Sequence, residues 1–345
     1  MKTRITELFG IKYPILLSGM SWISVPKMVA AVSNAGGLGI LATAPLDVER
    51  TRQAIREIRS LTDRPFGCNA ALLIPGAAEN ARVMLEEKVP VINFALGKGD
   101  WIVKGAHEYG GKVIATVVNA RHAKRAEEYG ADGVIATGHE AAAHGEAVTS
   151  LILVPSLVDA VKIPVIAAGG FADGRGLAAA LALGAEGIAM GTRFMTTRES
   201  PLHANFKRLS IEMGVEDTIA SPRFDGIPCR VLKTDKAKRA ERRGLDVLAA
   251  FSNSRKIADQ LHVPYLKLCL GVIASGWKSA RQLAYMASGF EAFRLATEDG
   301  DIEKGILPVG QVTGLLHDEP TVKEVIERIV AEAKQVRERL DKQIS

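Results

Sequence analysis

The sequence predicts an α/β chain built as a (β/α)8 TIM barrel with a smaller, mainly helical second domain. Short apolar runs alternate with segments of helical periodicity that end in glycine. The runs are apolar on both faces, as strands of a buried parallel sheet are. An open doubly wound sheet is the alternative. Eight such strands are predicted, at 13–20, 37–43, 66–73, 90–96, 112–118, 133–138, 164–170 and 187–194.

The position of polar residues and glycines favours the barrel over the open sheet. They gather at the carboxyl ends of the predicted strands, which in a barrel form one mouth, where active sites lie. We therefore expect a functional site there. The residues concerned are Ser18-Gly19-Met20, Asn69, Thr137-Gly138, Gly169-Gly170 and Gly191-Thr192.

The strand-helix period stops after about residue 205, and this predicts the domain boundary. Residues 1–205 with 305–345 are expected to form the barrel, and 206–304 a helical lid or substrate domain. Within that lid, 261–289 is apolar and expected to be buried. The tail 319–340 carries Glu, Lys and Arg at helical spacing. It predicts a long amphipathic helix packed on the barrel.

Composition limits the classes of function. The 345 residues are 47% hydrophobic and 24% charged, which is typical of a globular protein. A net charge of +5 favours an anionic ligand but is too small to indicate nucleic acid. Cys68, Cys229 and Cys269 are far apart, which indicates free thiols of a reducing compartment. Neither a signal peptide nor a membrane span is predicted, so we expect a cytoplasmic protein.

The segment 163–194 predicts a phosphate site. One strand runs into Gly169-Gly170, a helix begins near Asp173, and the next strand ends at Gly191-Thr192. Glycines let backbone N–H groups approach an anion, and loops after the last two strands of a barrel often bind phosphate. The alternative is that these glycines only make tight turns. The spacing does not follow G-x-G-x-x-G, which disfavours a dinucleotide fold.

The stretch 138–146, GHEAAAHGE, holds two histidines and two glutamates. A metal site, a catalytic base and a plain helix start all fit these residue types. His139 and His144 are five residues apart and so do not share a helix face, and no cysteine is near in the sequence. We therefore predict no metal. A histidine, with a reference pKa of about 6.5, can exchange a proton at neutral pH. A structural, hydrogen-bonded histidine is the alternative.

The chain resembles the nitronate monooxygenase (2-nitropropane dioxygenase) family, which includes FMN-dependent type II enoyl-ACP reductases and NADH:quinone reductases. The segment AAGGFADGRGLAAALALGAEGIAMGTRFMTTRESPLH, at 167–203, is similar to the family's FMN-phosphate segment. The motifs PILLSGMSWIS, GIPCRVLK and GQVTGLLHDEP extend the likeness over nearly the whole chain. Residues 235–300 match least.

The resemblance implies FMN as cofactor and His144 as the proton-transferring residue above the flavin ring. Glu140 and a small spacer precede His144 as in the family, with Ala142 and Ala143 in place of two glycines. Ring and ribityl contacts are implied for Ser18, Gly19, Met20, Asn69, Thr116 and Thr137. Phosphate contacts are implied for Gly169, Gly170, Met190, Gly191 and Thr192.

Three functions follow from the resemblance. The first is a nitronate monooxygenase that oxidises alkyl nitronates or nitroalkanes with O2. The second is an NAD(P)H-dependent enoyl-ACP or enoyl-CoA reductase, or a quinone reductase, although Thr116 stands where the quinone reductases have a lysine. The third is a non-enzymatic FMN sensor. The expected partner is a small molecule, a nitronate, an enoyl thioester or a quinone.

Two further segments allow more than one interpretation. The basic run 230–243 could receive the phosphates of CoA, a carrier protein or a nicotinamide cofactor, or it could be a solvated helix face. The apolar segment 262–290 is compatible with a homo-oligomer.

Overall fold

The computed structural model describes residues 1–142, 144–243 and 277–344, without the side chains of 277–280 and 283. Eight parallel strands form one sheet in the order β1-β8-β7-β6-β5-β4-β3-β2. The sheet closes where Leu17 N–H donates to Leu38 O at 2.9 Å and Leu38 N–H donates to Ile15 O at 3.0 Å. The predicted TIM barrel is confirmed.

All eight predicted strands are present, and each ends before its predicted carboxyl-terminal boundary. The predicted runs extend beyond the strands because they include loop residues, such as Ser18–Met20 and Gly169–Gly170, that line the cavity at the mouth. The strands are β1 Ile15–Leu17, β2 Gly39–Ala42, β3 Phe66–Ala71, β4 Val91–Ala95, β5 Lys112–Val117, β6 Gly133–Thr137, β7 Val165–Ala168 and β8 Gly187–Met190.

Helices alternate with the strands and cover the outside of the barrel. The first helix instead packs Ile5 and Phe9 against the side chains that fill the barrel interior, among them Leu16, Ile114 and Ile166. This closes the amino-terminal end, so the cavity lies at the other end. The barrel helices are α1 Arg4–Phe9, α2 Pro26–Asn34, α3 Val48–Leu61, α4 Ala77–Glu86, α5 Asp100–His107, α6 Ala120–Glu128, α7 Ser150–Ala160, α8 Gly174–Ala182 and α9 Thr192–Met195.

The predicted carboxyl-terminal helix runs from Val322 to Ile344 and packs on α8 of the barrel. Gly174 makes the close approach possible, because a Cβ there would lie 2.4 Å from the backbone nitrogen of Ala333. The Gly174 N–H donates to Glu332 Oε2 at 2.8 Å. We call this helix α13.

The region 206–304 contains a two-stranded antiparallel sheet in addition to the expected helices. Its elements are α10 Ala204–Glu212, β9 Thr218–Ser221, β10 Cys229–Leu232, α11 Asp235–Arg243, α12 Trp277–Arg294 and a π-helical turn Leu295–Asp299. Strand β10 is tied to the barrel loops, because Arg230 N–H donates to Ala142 O at 3.1 Å and Val309 N–H donates to Arg230 O at 3.1 Å. The division into two domains stays a proposal.

The predictions about the cysteines and about the apolar segment fall partly on residues outside the described ranges. Cys68 and Cys229 are free and buried, whereas Cys269 lies outside the described residues. Most of the apolar segment 261–289 also lies outside them, and its described end belongs to α12. Within the described ranges, no helix combines the length and the apolar character needed to cross a bilayer.

Asp318, just before α13, is expected to stabilise the fold through Arg193. The Arg193 side chain is 8% exposed and donates from Nη1 to Asp318 Oδ1 at 3.0 Å. Burial opposes ionisation of Asp318, but hydrogen bonds from Arg328 and Arg193 outweigh it and lower its pKa. This stabilisation is therefore present above the unfolded-state pKa of about 3.9 and is lost as the pH falls through the lower folded-state value.

We expect Asp318→Asn to lower the free energy of unfolding by about 1–3 kcal/mol at pH 7, because Arg193 loses a charged partner. The difference from the wild type should shrink at pH values below about 4. Urea unfolding at several pH values measures both. The control is Asp341→Asn, whose partner Arg337 is 3.9 Å away with both side chains exposed. An equal loss at acid and neutral pH would contradict the assignment.

Candidate active site

The carboxyl ends of the strands open into a cavity of about 1000 Å³. Helix α12 and the turn at 222–228 line it opposite the strand ends, largely with apolar side chains. Every site residue predicted from the sequence lines this cavity, so the structure brings the whole set together. These residues are Ser18, Gly19, Met20, Asn69, Thr116, Thr137, His144, Gly169, Gly170, Met190, Gly191 and Thr192. Their contacts with a flavin stay a prediction.

The loop after β1 is held in place by Ser24. Its hydroxyl donates to Ser18 O at 2.7 Å and accepts from Met20 N–H at 2.9 Å. Gly19 lies between them, and a Cβ there would be 2.7 Å from Asn69 Cγ. Glycine at position 19 therefore gives the Asn69 amide its place in the cavity wall.

Asn93 is a cavity residue that sequence reasoning missed. Its amide donates to Thr116 Oγ1 at 3.0 Å and to Ile114 O at 3.2 Å. The side chain is buried, and Asn93 pairs in register with Asn69 on the neighbouring strand. An asparagine inside the apolar run VINFAL was the available signal. The hydroxyl of Thr116, which is predicted to contact the flavin, is thus held by the Asn93 amide.

The loops after β7 and β8 form a glycine cradle, which we define as Gly169, Gly170, Gly191 and Thr192. Gly169 and Gly170 have φ values of 95° and 85°, in the left-handed region that favours glycine. A Cβ at Gly191 would lie 3.2 Å from Met20 Sδ. The backbone is therefore open to the cavity where side chains would be strained or crowded. This fits the predicted approach of a phosphate group.

The start of α8 contributes less to that cradle than the sequence indicated. Asp173 caps the helix by accepting from Gly176 N–H at 3.1 Å, and Glu332 accepts from Gly174 N–H. Burial opposes ionisation of Asp173, but bonds from Arg175 and Gly176 lower its pKa. Two carboxylates already satisfy this helix end, so an anion would depend on the glycine cradle and on the Thr192 hydroxyl, which accepts from Gly310 N–H at 3.0 Å.

Glu140 in the GHEAAAHGE stretch anchors the loop to α7. Its carboxylate accepts from Ser150 N–H at 2.9 Å and from Ser150 Oγ at 3.0 Å. The Ser150 hydroxyl also lies 2.7 Å from Gly169 O. Glu140 therefore connects the loop of His144 to the glycine cradle, and the hydrogen bonds of its carboxylate in the described part of the chain go to Ser150 rather than to His144.

Arg230, on β10, holds the same loop through its guanidinium. Its Nε and Nη2 donate to His139 O at 3.3 and 3.0 Å, and Nη1 donates to Thr218 Oγ1 at 3.0 Å. Burial lowers the pKa of its guanidinium, an effect that Glu140 opposes. Arg230 begins the predicted basic run 230–243. It is buried and hydrogen-bonded, so neither alternative given for that run, a solvated face or a phosphate-binding site, describes it. Lys233, Arg239, Arg242 and Arg243 are exposed.

His144 is paired with an aspartate that sequence reasoning missed. Its Nε2 lies 2.7 Å from Asp225 Oδ2, with side chains 30% and 11% exposed. Cys229 completes a group whose ligand-type atoms all lie within 4.8 Å of one another. Cys229 is distant from His144 in the sequence but close to it in the structure, so the lack of a cysteine near 138–146 did not predict this group. Burial, and then the charge of Asp225, raise the pKa of the Cys229 thiol, which disfavours the thiolate that binds metals.

The structure thus places a histidine–carboxylate pair and a glycine cradle at the mouth of a TIM barrel, the end where active sites of this fold lie. The chain belongs to the nitronate monooxygenase family, whose family model matches residues 2–332. Members of this family are generally FMN-dependent. The chain is thus an enzyme, and this supports the oxidoreductase hypotheses over the non-enzymatic sensor.

Relatives within the family carry different names. A hydroxy-methyl-oxo-octahydro-indene carboxyl-CoA dehydrogenase of Rhodococcus jostii is 39% identical over 338 residues, 96% of each chain. A probable nitronate monooxygenase of Staphylococcus saprophyticus is 33% identical over 68% of this chain and 79% of its own. The structure of FabK from Thermotoga maritima is 37% identical, with a TM-score of 0.84 over 99% of both chains.

Proposed function

We propose that this protein is an FMN-dependent oxidoreductase that adds or removes hydrogen across the α,β bond of an acyl thioester of CoA or a carrier protein. The observation that carries the proposal is the apolar part of the 1000 Å³ cavity next to His144. Ligand cavities usually enclose about 300–1,000 Å³, so this one is large enough for a second ligand of some size beside a flavin.

The apolar part of the cavity suits an acyl group. Met286, Phe290 and Phe293 of α12 line it, and Trp22 packs against Phe290 with 4.5 Å between ring centroids. Ile227 and Pro228 extend the apolar wall from the turn that carries Asp225. Burial of an acyl chain or ring system there would contribute binding energy in proportion to the apolar area covered.

The polar part of the cavity suits the hydrogen transfer. FMN, when bound, supplies hydride donation or acceptance, and the glycine cradle with Asn69 and Ser18–Met20 would hold it. His144 would then transfer the proton. It takes the α-proton of a saturated thioester, or returns a proton to the α-carbon of an enoyl thioester. NAD(P)H is the proposed reductant for the second direction.

The relatives support a thioester in particular. The Rhodococcus jostii relative, similar over 96% of each chain, is named for a carboxyl-CoA substrate. A cationic side chain, Arg125 of α6, also lines the cavity wall. An anionic carrier is compatible with this side chain and with the net charge of +5.

A nitronate monooxygenase is the second candidate, favoured by the family model and by the Staphylococcus saprophyticus relative. His144 could serve as the base that deprotonates a nitroalkane. A short nitroalkane would leave the apolar wall of α12 unfilled, which ranks this candidate behind the thioester. It would need O2 and no nicotinamide cofactor.

Anaerobic mixing separates the candidates. The FMN-loaded enzyme is mixed with NADH or NADPH, which should bleach the flavin, and then with enoyl-CoA esters of increasing acyl size, which should restore the yellow colour. The matched control is each free enoic acid, expected to react at least about 10-fold more slowly because it lacks the binding energy of the carrier. Oxygen uptake with propionate 3-nitronate, together with no reaction with any thioester, would replace the proposal by the second candidate.

A further inference from the structure

Asp225 completes the acid/base group from the lid side of the cavity. One of its carboxylate oxygens lies 2.7 Å from His144 Nε2, and the other accepts from Ile227 N–H at 3.2 Å. An ionised carboxylate can only accept hydrogen bonds, so Nε2 must carry the proton in this contact. We infer that Asp225 is a positioning residue that fixes the Nε2–H tautomer of His144 and leaves Nδ1 as the nitrogen that exchanges protons with the substrate.

The inference rests on the proposed function only in naming the substrate as the proton partner of Nδ1. His144 lines the cavity, and its Nδ1 makes no hydrogen bond in the described part of the chain. Which imidazole nitrogen is free is set by the bond that the other one makes. The 2.7 Å contact therefore determines both the orientation of the ring and the identity of its basic nitrogen.

Two glycines allow the turn that carries Asp225 to approach α12 closely. Gly226 has φ of 85°, and a Cβ there would lie 2.7 Å from Gln282 O. A Cβ on Gly289 would lie 2.4 Å from Phe224 O and 2.9 Å from the Asp225 Cβ. The close backbone approach leaves the Asp225 carboxylate little freedom to move away from His144.

The other titratable groups around His144 are already engaged. The Cys229 thiol, whose pKa is raised by burial and by Asp225, lies 3.5 Å from Ala142 O. Arg230 donates to His139 O, and Glu140 accepts from Ser150. Glu146, on the cavity wall, accepts from the Asn119 amide at 3.5 Å. Asp225 is thus the carboxylate in contact with the imidazole.

This arrangement makes the lid part of the proton-transfer machinery. His144 comes from the loop after β6, whereas Asp225 is 81 residues further along, between β9 and β10. Strand β10 holds the two together through the bond from Arg230 N–H to Ala142 O. The basic nitrogen is therefore defined only when the lid turn is seated on the barrel.

The test compares the FMN-loaded wild type with Asp225→Asn and the matched control Asp217→Asn. Asp217 lies in the same lid and accepts from Gly214 N–H at 3.0 Å, but its carboxylate makes no contact with His144. NMR of 15N-histidine-labelled protein reads the tautomer, and His144→Gln assigns the signal by its loss. We expect Nε2–H in the wild type and in Asp217→Asn. In Asp225→Asn the amide can donate to Nε2, which shifts the proton to Nδ1.

Kinetics supply the second readout. Asp225→Asn should lower kcat by about 100-fold, since the wrong tautomer presents the wrong nitrogen, with KM changed by less than about 3-fold. Asp217→Asn should keep both values. An Nδ1–H tautomer of His144 in the wild type overturns the inference whether or not any variant folds. The inference is also overturned if Asp225→Asn keeps the wild-type tautomer or the wild-type kcat. The same holds if Asp217→Asn loses as much kcat as Asp225→Asn.

The tautomer is read without substrate, so the two proposals can fail separately. An Nε2–H tautomer with no turnover of any thioester supports the role of Asp225 and removes the thioester proposal. Thioester turnover by an enzyme with an Nδ1–H tautomer supports the thioester proposal and removes the role of Asp225.

Discussion

His144→Ala is expected to lower turnover by about 10²–10⁴-fold while FMN remains bound. His144 lines the cavity wall and its side chain bonds Asp225 rather than the glycine cradle, so its loss removes the proton-transferring group and leaves the proposed phosphate site in place. The variant also leaves the Asp225 carboxylate, 11% exposed, without its imidazole partner. We expect that to reduce the free energy of unfolding by about 1–3 kcal/mol.

The neighbouring histidine provides the matched control. His139 Nδ1 lies 3.0 Å from Glu146 O, and its ring is not part of the cavity wall. His139→Ala should therefore keep turnover near the wild-type rate. Steady-state kinetics with flavin absorbance per protein measures both variants. Wild-type turnover in His144→Ala would exclude the proton-transfer role, and loss of flavin from that variant would show that the residue acts on cofactor binding instead.

The fold followed from sequence because its signals are local. Each buried strand is a short apolar run, and each helix between strands ends near a glycine or a polar turn. The site residues at strand ends followed for the same reason, since a parallel barrel gathers all carboxyl ends at one mouth. Gly169 and Gly170 were readable because positive φ favours glycine and leaves a mark in the sequence.

The partners of His144 could not be predicted because they depend on contacts between distant parts of the chain. Asp225 and Cys229 have no periodicity that links them to position 144, and only the docking of β10 on the loop brings them near. Arg230 shows the same limit. In sequence it begins a basic run, whereas in the structure it is buried against a carbonyl of the His144 loop. Charge patterning cannot separate a solvated cation from a buried clamp.

Gly170→Val is expected to weaken FMN binding by at least about 10-fold. Gly170 lines the cavity with φ of 85°, and a Cβ there would lie 3.4 Å from Glu140 Cβ, so valine would disturb the backbone of the glycine cradle. A ligand at 100 times its dissociation constant stabilises the folded state by about 2.7 kcal/mol. The variant should lose much of that stabilisation at the FMN concentration where the wild type shows it.

Gly110→Val separates this effect from backbone strain. Gly110 has φ of 81°, and no atom lies within 4 Å of a Cβ built there, on the exposed loop before β5. A side chain in the left-handed region costs about 1–2 kcal/mol, so both variants should lose similar stability without FMN. Only Gly170→Val should show a higher dissociation constant in a titration that follows flavin fluorescence. Equal FMN affinity in the two variants would place the phosphate away from the glycine cradle, because strain alone would then explain every difference from the wild type.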